Sequence, residues 1–536
     1  MPSSKDGAGN EKLSEQLKHL LGALKIMPEI ECLKGITHGI EKESLRVDQQ
    51  GRIAMSPHPS GLGSPLTHDF ITTDFSEALI EFITPVFTDP ASSLEYLEDI
   101  HRFLYGQLED KELLWTSSMP CIIEEDDLIP LAQYGTSNIG KLKTLYRRGL
   151  GHRYTRAMQT IAGIHYNFSL PDDFWQLLQK SQESKQTLND YKTEQYFNLI
   201  RNFRRYSWLL IYLFGASPAI CKSFIKDKTD HGLEAFDDYT YYMPFGTSLR
   251  MGDLGYTSDA QADLFVSYNS LDEYIDGMRN AIETPYAPYT EIDKLGSGYQ
   301  QINSNILQIE NEFYSTIRPK RISKNGERPI HSLKNSGVEY IEVRCLDLNP
   351  FLPIGIDETQ INFLNTFLLF CLFRKSPPSS KEENSEIQNN FISVVTEGRN
   401  PELKLAQNNE SVSLPAWAVE ILQECLDVAD LLDSTDKANS VSAYHNAVEE
   451  QLSKVNDSEL TPSAKVLASM REQSMSYFPF ALKQSENSAE FLQKKLSDEK
   501  IKNFNAVTKK SNHDREKIEQ SDSLSFDEFL INSNKV

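Results

Sequence analysis

Apolar and polar residues alternate at period two along residues 35–48, which predicts a β-strand with two unlike faces. Ile36, His38, Ile40 and Lys42 take one face, and Thr37, Gly39, Glu41 and Glu43 the other. The same pattern predicts a strand over residues 78–84, where Glu81 interrupts an apolar run before Pro85 ends it. Residues 160–171 put Gly163, His165 and Asn167 on one face, opposite Ile164, Tyr166 and Phe168. Residues 338–350 group Tyr340, Glu342 and Arg344 against Ile341 and Val343. Residues 306–314 alternate too, with Gln308, Glu310, Glu312 and Tyr314 on one side, so a fifth strand is predicted there. Helical spacing of Leu13, Leu17, Leu20, Leu21 and Leu24 predicts an opening helix after a polar, disordered stretch over residues 1–12. Residues 172–225 and 415–475 read as helical, 226–300 as loop-rich, and the segment from Ser376 through Pro377 and Pro378 to Asn384 as a linker or long exposed loop. Beyond Phe480 apolar residues are sparse, which predicts a polar tail, helical only in part, over residues 476–536. Strands and helices are interspersed without regular βαβ units, so the predicted class is α+β.

Five half-buried strands thus carry polar side chains on one face. Neighbouring carboxylates repel each other, and burial sharpens the repulsion, so they call for a cation. Hard oxygen donors suit Mg²⁺, with Mn²⁺ as the alternative. Glu41, Glu43, Asp74, Glu81, His165 and Glu342 are the candidate metal ligands, more than one ion needs. That surplus suits two or three ions around a triphosphate. Arg344 shares its face with Glu342 and is placed to stabilise a transferring phosphoryl group, so both are candidate catalytic residues. Arg318, Lys320 and Arg321 form a cationic run suited to phosphate. Residues 135–141, Gly-Thr-Ser-Asn-Ile-Gly-Lys, imitate a phosphate-binding loop, but Leu142 stands where Ser or Thr is required and no hydrophobic strand leads in.

Composition narrows the function. The 536 residues carry a formal charge of −23, which disfavours nucleic acid and requires local basic clusters to hold any anionic substrate. No secretion signal and no apolar run long enough for a membrane span is evident. Six widely spaced cysteines without metal-ligand spacing fit a reducing compartment, so a cytoplasmic location without structural disulfides is expected.

Several blocks together resemble a known family. They are Ile40-Glu-Lys-Glu-Ser-Leu-Arg-Val47, Thr72-Thr-Asp-Phe-Ser-Glu-Ala-Leu-Ile-Glu-Phe-Ile-Thr-Pro85, Ala132-Gln-Tyr-Gly-Thr-Ser-Asn138 and Gly163-Ile-His-Tyr-Asn-Phe-Ser-Leu-Pro171. Leu213-Phe-Gly-Ala-Ser-Pro-Ala219, Gln301-Ile-Asn-Ser-Asn305, Ile317-Arg-Pro-Lys-Arg321 and Glu339-Tyr-Ile-Glu-Val-Arg344 continue the series in order. The set resembles glutamate–cysteine ligase of the proteobacterial type over roughly residues 20–375, and similarity thins after Arg374. The resemblance implies a glutamine-synthetase-like fold, a curved antiparallel sheet forming a funnel wrapped by helices, within a catalytic domain over residues 13–475. It implies ATP-dependent joining of L-glutamate to L-cysteine through γ-glutamyl phosphate, the first step of glutathione synthesis, with ATP as co-substrate; the sequence does not fix the oligomeric state, and a monomer is expected. It also implies that Arg250, Tyr256 and Tyr314 hold the acceptor's carboxylate, that Tyr146 lines its side-chain pocket, and that Gln159 contacts glutamate or the acceptor. The competing readings are another carboxylate–amine ligase or phosphagen-type kinase of related fold, and a non-catalytic nucleotide sensor. The full set of acids argues against the sensor, because a binder does not need so many.

Overall fold

The computed structural model describes residues 7–108, 112–120, 122–225, 231–254, 259–262, 264–323, 327–408, 410–435 and 442–533. In chain order the strands are β1 (Thr37–Val47), β2 (Ile71–Thr73), β3 (Leu79–Ile83), β4 (Leu113–Leu114), β5 (Ile164–Ser169), β6 (Ala219–Cys221), β7 (Glu234–Ala235), β8 (Thr240–Tyr242), β9 (Ile317–Lys320), β10 (Tyr340–Leu346), β11 (Lys404–Gln407) and β12 (Glu410–Ser413). The main sheet runs β2-β3-β1-β5-β10-β9, with β4 also paired to β1, and each pairing is antiparallel. It is open, with β2 and β9 at its edges. Pro319 sits in edge strand β9, where a missing N–H does not break a ladder.

One face of the sheet is the core. Ile40, Phe82, Tyr166, Phe168, Ile341 and Val343 are fully buried. Helices Pro90–Tyr105 and Leu188–Phe214 pack on this face. Between them lies helix Glu358–Phe373, whose side chains from Gln360 to Phe373 are all buried. Each buried Leu or Phe there contributes roughly 1.5–3 kcal/mol through apolar area removed from water. Helix starts are set locally: the side chains of Asp89, Ser137, Thr187, Asp357 and Ser497 each accept a hydrogen bond from the first turn of the helix that follows. The result is the predicted α+β arrangement, an open antiparallel sheet with helices packed around it.

Four expectations differ from the structure. The opening helix spans Gly7–Lys25, so it begins inside the segment expected to be disordered; residues 1–6 lie outside the described residues. Residues 306–314 form no strand; they cross as an irregular segment with a 3₁₀ turn at Glu310–Glu312. Their acids point to different partners, Glu310 to Arg328 and Glu312 to Arg153, and these side-chain ties replace a ladder. The supposed linker is short, because Ser380 caps a helix running Lys381–Glu397. The polar tail is three helices, Tyr477–Leu492, Asp498–Ser521 and Phe526–Ser533, and it is tied back into the body. Ser511 Oγ accepts from Ser64 N at 3.0 Å, and Lys500 Nζ reaches Glu95 at 2.7 Å.

Among the described residues no helix is long and apolar enough to cross a membrane. Cys32, Cys221, Cys345, Cys371 and Cys425 are free thiols; Cys121 lies outside the described residues.

Candidate active site

The polar face of the sheet is assembled by register. Directly opposed residues on antiparallel strands share a face. Glu43 lies opposite Glu81, Glu41 opposite His165, and Glu342 opposite both Asn167 and Arg318. A continuous polar row therefore crosses β3, β1, β5, β10 and β9. Lys42, between the two β1 acids, points into the core.

Distances along the row are short. His165 Nδ1 lies 3.1 Å from Glu41 Oε2 and 3.9 Å from Glu342 Oε1. His165 Nε2 is 3.9 Å from Glu43 Oε1. Asn167 Nδ2 donates to Glu41 Oε1 at 2.9 Å, and Gly163 N donates to Glu43 Oε2 at 2.8 Å. Glu342 accepts from Arg344 Nη1 at 3.0 Å and from Lys320 Nζ at 3.2 Å. Ligand-capable atoms of Glu41, His165 and Glu342 all lie within 4.8 Å of one another.

The row is electrically uneven. Burial pushes Glu342 up, but Lys320, Arg344, His165 and Arg318 hold it well below the usual carboxylate range. Burial and Glu342 also push Glu41 up, and the His165 hydrogen bond, His165 itself and Lys320 hold it below its ordinary value. Toward β3 burial and neighbouring carboxylates outweigh the cations, Arg147 among them. Burial, then Asp74, pushes Glu43 up to about 8 despite Arg250 and Arg344. Burial, then Glu41, Asp74 and Glu43, drives Glu81 well above the ordinary value. That half of the row holds protons unless a cation joins it, so the donor set fits a hard divalent ion.

The row floors a cavity of about 330 Å³. Its carboxylates are Glu41, Glu43, Asp74, Glu81, Glu312 and Glu342; its cations are Lys143, Arg147, Arg250, Arg318, Lys320 and Arg344. In a strongly acidic chain, six cations beside six carboxyl groups, two of them pushed toward the protonated form, are what let the site accept anions.

Helix Asn138–Tyr154 forms one wall, presenting Lys143, Tyr146, Arg147, Leu150 and Tyr154. These positions follow helical spacing, a signal present in the sequence from which only Tyr146 was drawn. The irregular 306–314 segment is the roof, adding Ile309, Asn311, Glu312 and Tyr314. Wall and roof are zipped together. Arg153 Nη1 meets Glu312 Oε1 at 2.8 Å with both side chains fully buried, and Tyr154 Oη donates to the same oxygen at 2.8 Å. Gln308 Nε2 donates to Tyr146 O at 3.2 Å. Gly149 permits this approach, since a Cβ there would come within 2.2 Å of the Gln308 amide oxygen. Gln261 joins through Tyr154 Oη at 2.8 Å. Gln261 lies in the one-turn helix Asp259–Ala262 and Asn311 and Glu312 in the 3₁₀ turn, and no periodic pattern points to them as a group.

On the remaining side, Gln159 lines the cavity and Arg250 Nη2 donates to Arg344 O at 3.0 Å. Asp347 Oδ1 lies 3.8 Å from Arg250 and accepts from Ser248 Oγ at 2.9 Å, fixing the turn that carries Arg250. Gly163 makes room, because a Cβ would lie 2.0 Å from Arg250 Nη2. Tyr314 Oη donates to Met251 Sδ at 3.1 Å.

The cationic run divides. Arg318 and Lys320, two apart on β9, face the cavity. Arg321 lies past the end of the strand on the opposite parity and donates to Ser336 O and to Gly337 O at 3.1 Å, so it is not brought to the cavity. Tyr256 lies outside the described residues. Cys345 is buried off the cavity, and burial pushes its thiol up to about 12.

The imitation phosphate loop is already filled. Gly135 turns at φ 86° and Ser137 caps the wall helix. The backbone N–H groups that would cradle phosphate are taken by carboxylates from far along the chain: Thr136 N donates to Glu519 at 2.8 Å, and Asn138 N to Asp522 at 2.6 Å. Lys141 is exposed and lines no part of the cavity.

Comparison with known proteins agrees with this geometry. A family model described as glutamate-cysteine ligase matches residues 21–394. The chain belongs to the glutamate–cysteine ligase family. The glutamate–cysteine ligase of Pseudomonas putida is 50% identical over 523 residues, covering 97% of this chain and 98% of that one. That of Pseudomonas aeruginosa is 50% identical over 524 residues, covering 97% of each. The crystal structure of glutamate–cysteine ligase from Francisella tularensis, in complex with AMP, superposes with a TM-score of 0.87 at 36% identity, covering 93% of this chain and 97% of that one. A bifunctional glutathione synthetase from Pasteurella multocida shares the fold, with a TM-score of 0.71 at 24% identity over 90% of this chain and 57% of that one.

Proposed function

We propose that this member of the glutamate–cysteine ligase family joins the γ-carboxylate of L-glutamate to the amine of L-cysteine, with ATP cleaved to ADP and phosphate. The observation that carries the reading is the row of acids, His165 and Arg344 on one sheet face, inside a cavity lined by six cations. A carboxylate is inert to an amine, because oxide is a poor leaving group. Phosphorylation of the γ-carboxylate removes that obstacle. One carboxylate oxygen attacks the γ-phosphorus and ADP leaves. The amine lone pair then attacks the acyl carbon, the tetrahedral adduct collapses, phosphate departs and the nitrogen loses its proton.

Glu41, His165 and Glu342, with Glu43, Glu81 and Asp74 beside them, would hold Mg²⁺, or Mn²⁺ in its place. When bound, such an ion neutralises charge on the phosphoryl groups and aligns them for attack. Arg344, Lys320 and Arg318 grip the transferring phosphoryl oxygens, and Arg344 is the group placed to stabilise charge on the tetrahedral adduct. Arg321 has no part in this. Arg250 and Tyr314, with Tyr256, hold the acceptor carboxylate. Tyr146 borders the acceptor side chain, and Gln159 contacts one of the two amino acids. No covalent enzyme intermediate is required, so no nucleophile is assigned. We place the reaction in the cytoplasm, where the free thiols stay reduced.

The test is ADP formation with glutamate, in the presence and absence of cysteine and of other amines, with the product weighed by mass spectrometry. Cysteine-dependent ADP release matched by γ-glutamylcysteine supports the reading. ADP release that ignores glutamate, or that prefers an unrelated amine, refutes it.

A further inference from the structure

The Phe526–Ser533 helix lies far outside the residues matched by the family model, yet it reaches the cavity wall. Leu530 is buried with Leu145 and Ile302 in a small apolar cluster apart from the main core. Packed on that cluster are Leu142, Tyr146, Ile309 and Phe526. Tyr146 belongs to the wall helix and Ile309 to the roof, and both line the cavity. Wall and roof therefore meet over one C-terminal leucine.

Polar contacts tie the same segment to the wall helix. Asp522 accepts from Asn138 N at 2.6 Å, Leu524 O from Asn138 Nδ2 at 2.9 Å, and Glu519 from Thr136 Oγ1 at 3.0 Å. An acid at a helix N-terminus is held by the helix dipole as well as by the hydrogen bond. On the roof side, the Phe526 ring meets Tyr299 edge-on at 6.1 Å, and Tyr299 O accepts from Arg148 Nη1 at 2.8 Å. The metal-competent acids stand apart from this arrangement, because cross-strand pairing on the main sheet positions them.

We infer that residues 519–533 form a latch that closes wall against roof, and that Leu530 is a positioning residue that sets the Tyr146–Ile309 side of the cavity and with it recognition of the acceptor amino acid. The assignment of that side to the acceptor rests on the proposed function. Truncating Leu530 leaves a void beneath Tyr146 and Ile309. Their aromatic and aliphatic side chains then sample positions that no longer fit one acceptor. The sheet-borne groups keep their geometry, so handling of MgATP is spared.

The experiment uses the full-length chain with Leu530→Ala and the volume-conserving Leu530→Met, measuring kcat and KM separately for cysteine, glutamate and MgATP, with a thermal melt of each protein. Leu530→Ala is expected to raise KM for cysteine at least about fivefold while KM for MgATP stays within about twofold. Leu530→Met is expected to restore KM for cysteine to within about twofold of wild type. All three KM values unchanged in Leu530→Ala would overturn the latch. So would a uniform loss across the three substrates, or failure of Leu530→Ala to fold, since either would make the cluster a general support. If the wild-type protein itself makes no γ-glutamylcysteine, the functional reading fails, an outcome distinct from an active wild type whose KM ignores Leu530.

Discussion

Lys42 stands between two site acids, yet its side chain lies on the other face of β1, and replacing it with methionine tests that geometry. Lys42 Nζ donates to Ser44 Oγ at 2.6 Å and contacts His101 Nε2 at 2.8 Å. His101 Nδ1 faces Leu97 O at 2.7 Å and must carry the proton there, which leaves Nε2 to accept. Burial pushes the Lys42 ammonium down from 10.5 to about 7. That gap corresponds to about 5 kcal/mol against the charged form in the folded protein. The folded value lies below the unfolded one, so the unfolded chain binds the extra proton and stability rises with pH between them. The penalty is complete below about pH 7, and roughly 2 kcal/mol remains at about pH 9. Methionine removes the penalty and fits the space, but forfeits two hydrogen bonds worth about 1 kcal/mol each. Lys42→Met should therefore be more stable than wild type by about 3 kcal/mol near pH 6, and about equal to it near pH 9. Paired denaturation curves of the two proteins across this range supply the comparison, and a turnover assay accompanies them. Activity should stay within about threefold, because Lys42 touches no part of the cavity. No stability advantage near pH 6, or one that grows with pH, would refute the reasoning. A folded variant without activity would put Lys42 in the site and overturn the face assignment.

Three other outcomes follow from the same geometry. Glu41→Gln and Glu342→Gln should each lower kcat at least about 100-fold with circular dichroism unchanged, as loss of a main electrostatic element does; near-normal turnover in both would remove them from the site. Lys141→Ala should leave apparent MgATP affinity within about tenfold, because Glu519 and Asp522 already fill the loop beside it; abolished ATP-dependent turnover in a folded variant would contradict this. Mg²⁺ binding should release protons near neutral pH and tighten as pH rises to about 8, since Glu43 holds its proton up to about there and Glu81 beyond. Calorimetry in buffers of differing ionisation enthalpy reads that release, and a value of zero would show the acids already ionised.

Where the sequence was legible, one elementary rule was at work. Period-two alternation placed Glu41, Glu43, His165, Glu342 and Arg344 on one face, and antiparallel register brought them together. The rule misled at residues 306–314, because alternation also arises where acids are spaced for separate partners, as Glu310 and Glu312 are for Arg328 and Arg153. The wall helix was legible in principle, since Lys143, Arg147, Leu150 and Tyr154 follow one helical stripe. Its purpose was hidden because the stripe mixes charge with aromatic and apolar groups. The C-terminal helices were opaque for a different reason. Their ties run through polar contacts such as Ser511 to Ser64 and Asp522 to Asn138, hundreds of residues apart, and through scattered apolar anchors such as Phe504 and Leu530, which leave little periodic trace. Arg321 was misread because a run of cations was counted without its strand parity.

The central claim, that ATP activates the γ-carboxylate by phosphorylating it, is tested most directly with glutamate labelled with ¹⁸O in that carboxylate. The attacking oxygen becomes the bridge of the acyl phosphate and leaves with phosphate when the amine displaces it. Mass spectrometry of the phosphate formed during cysteine-dependent turnover should find one labelled oxygen transferred per product molecule. Unlabelled phosphate accompanying γ-glutamylcysteine, or label appearing in AMP, would contradict the account.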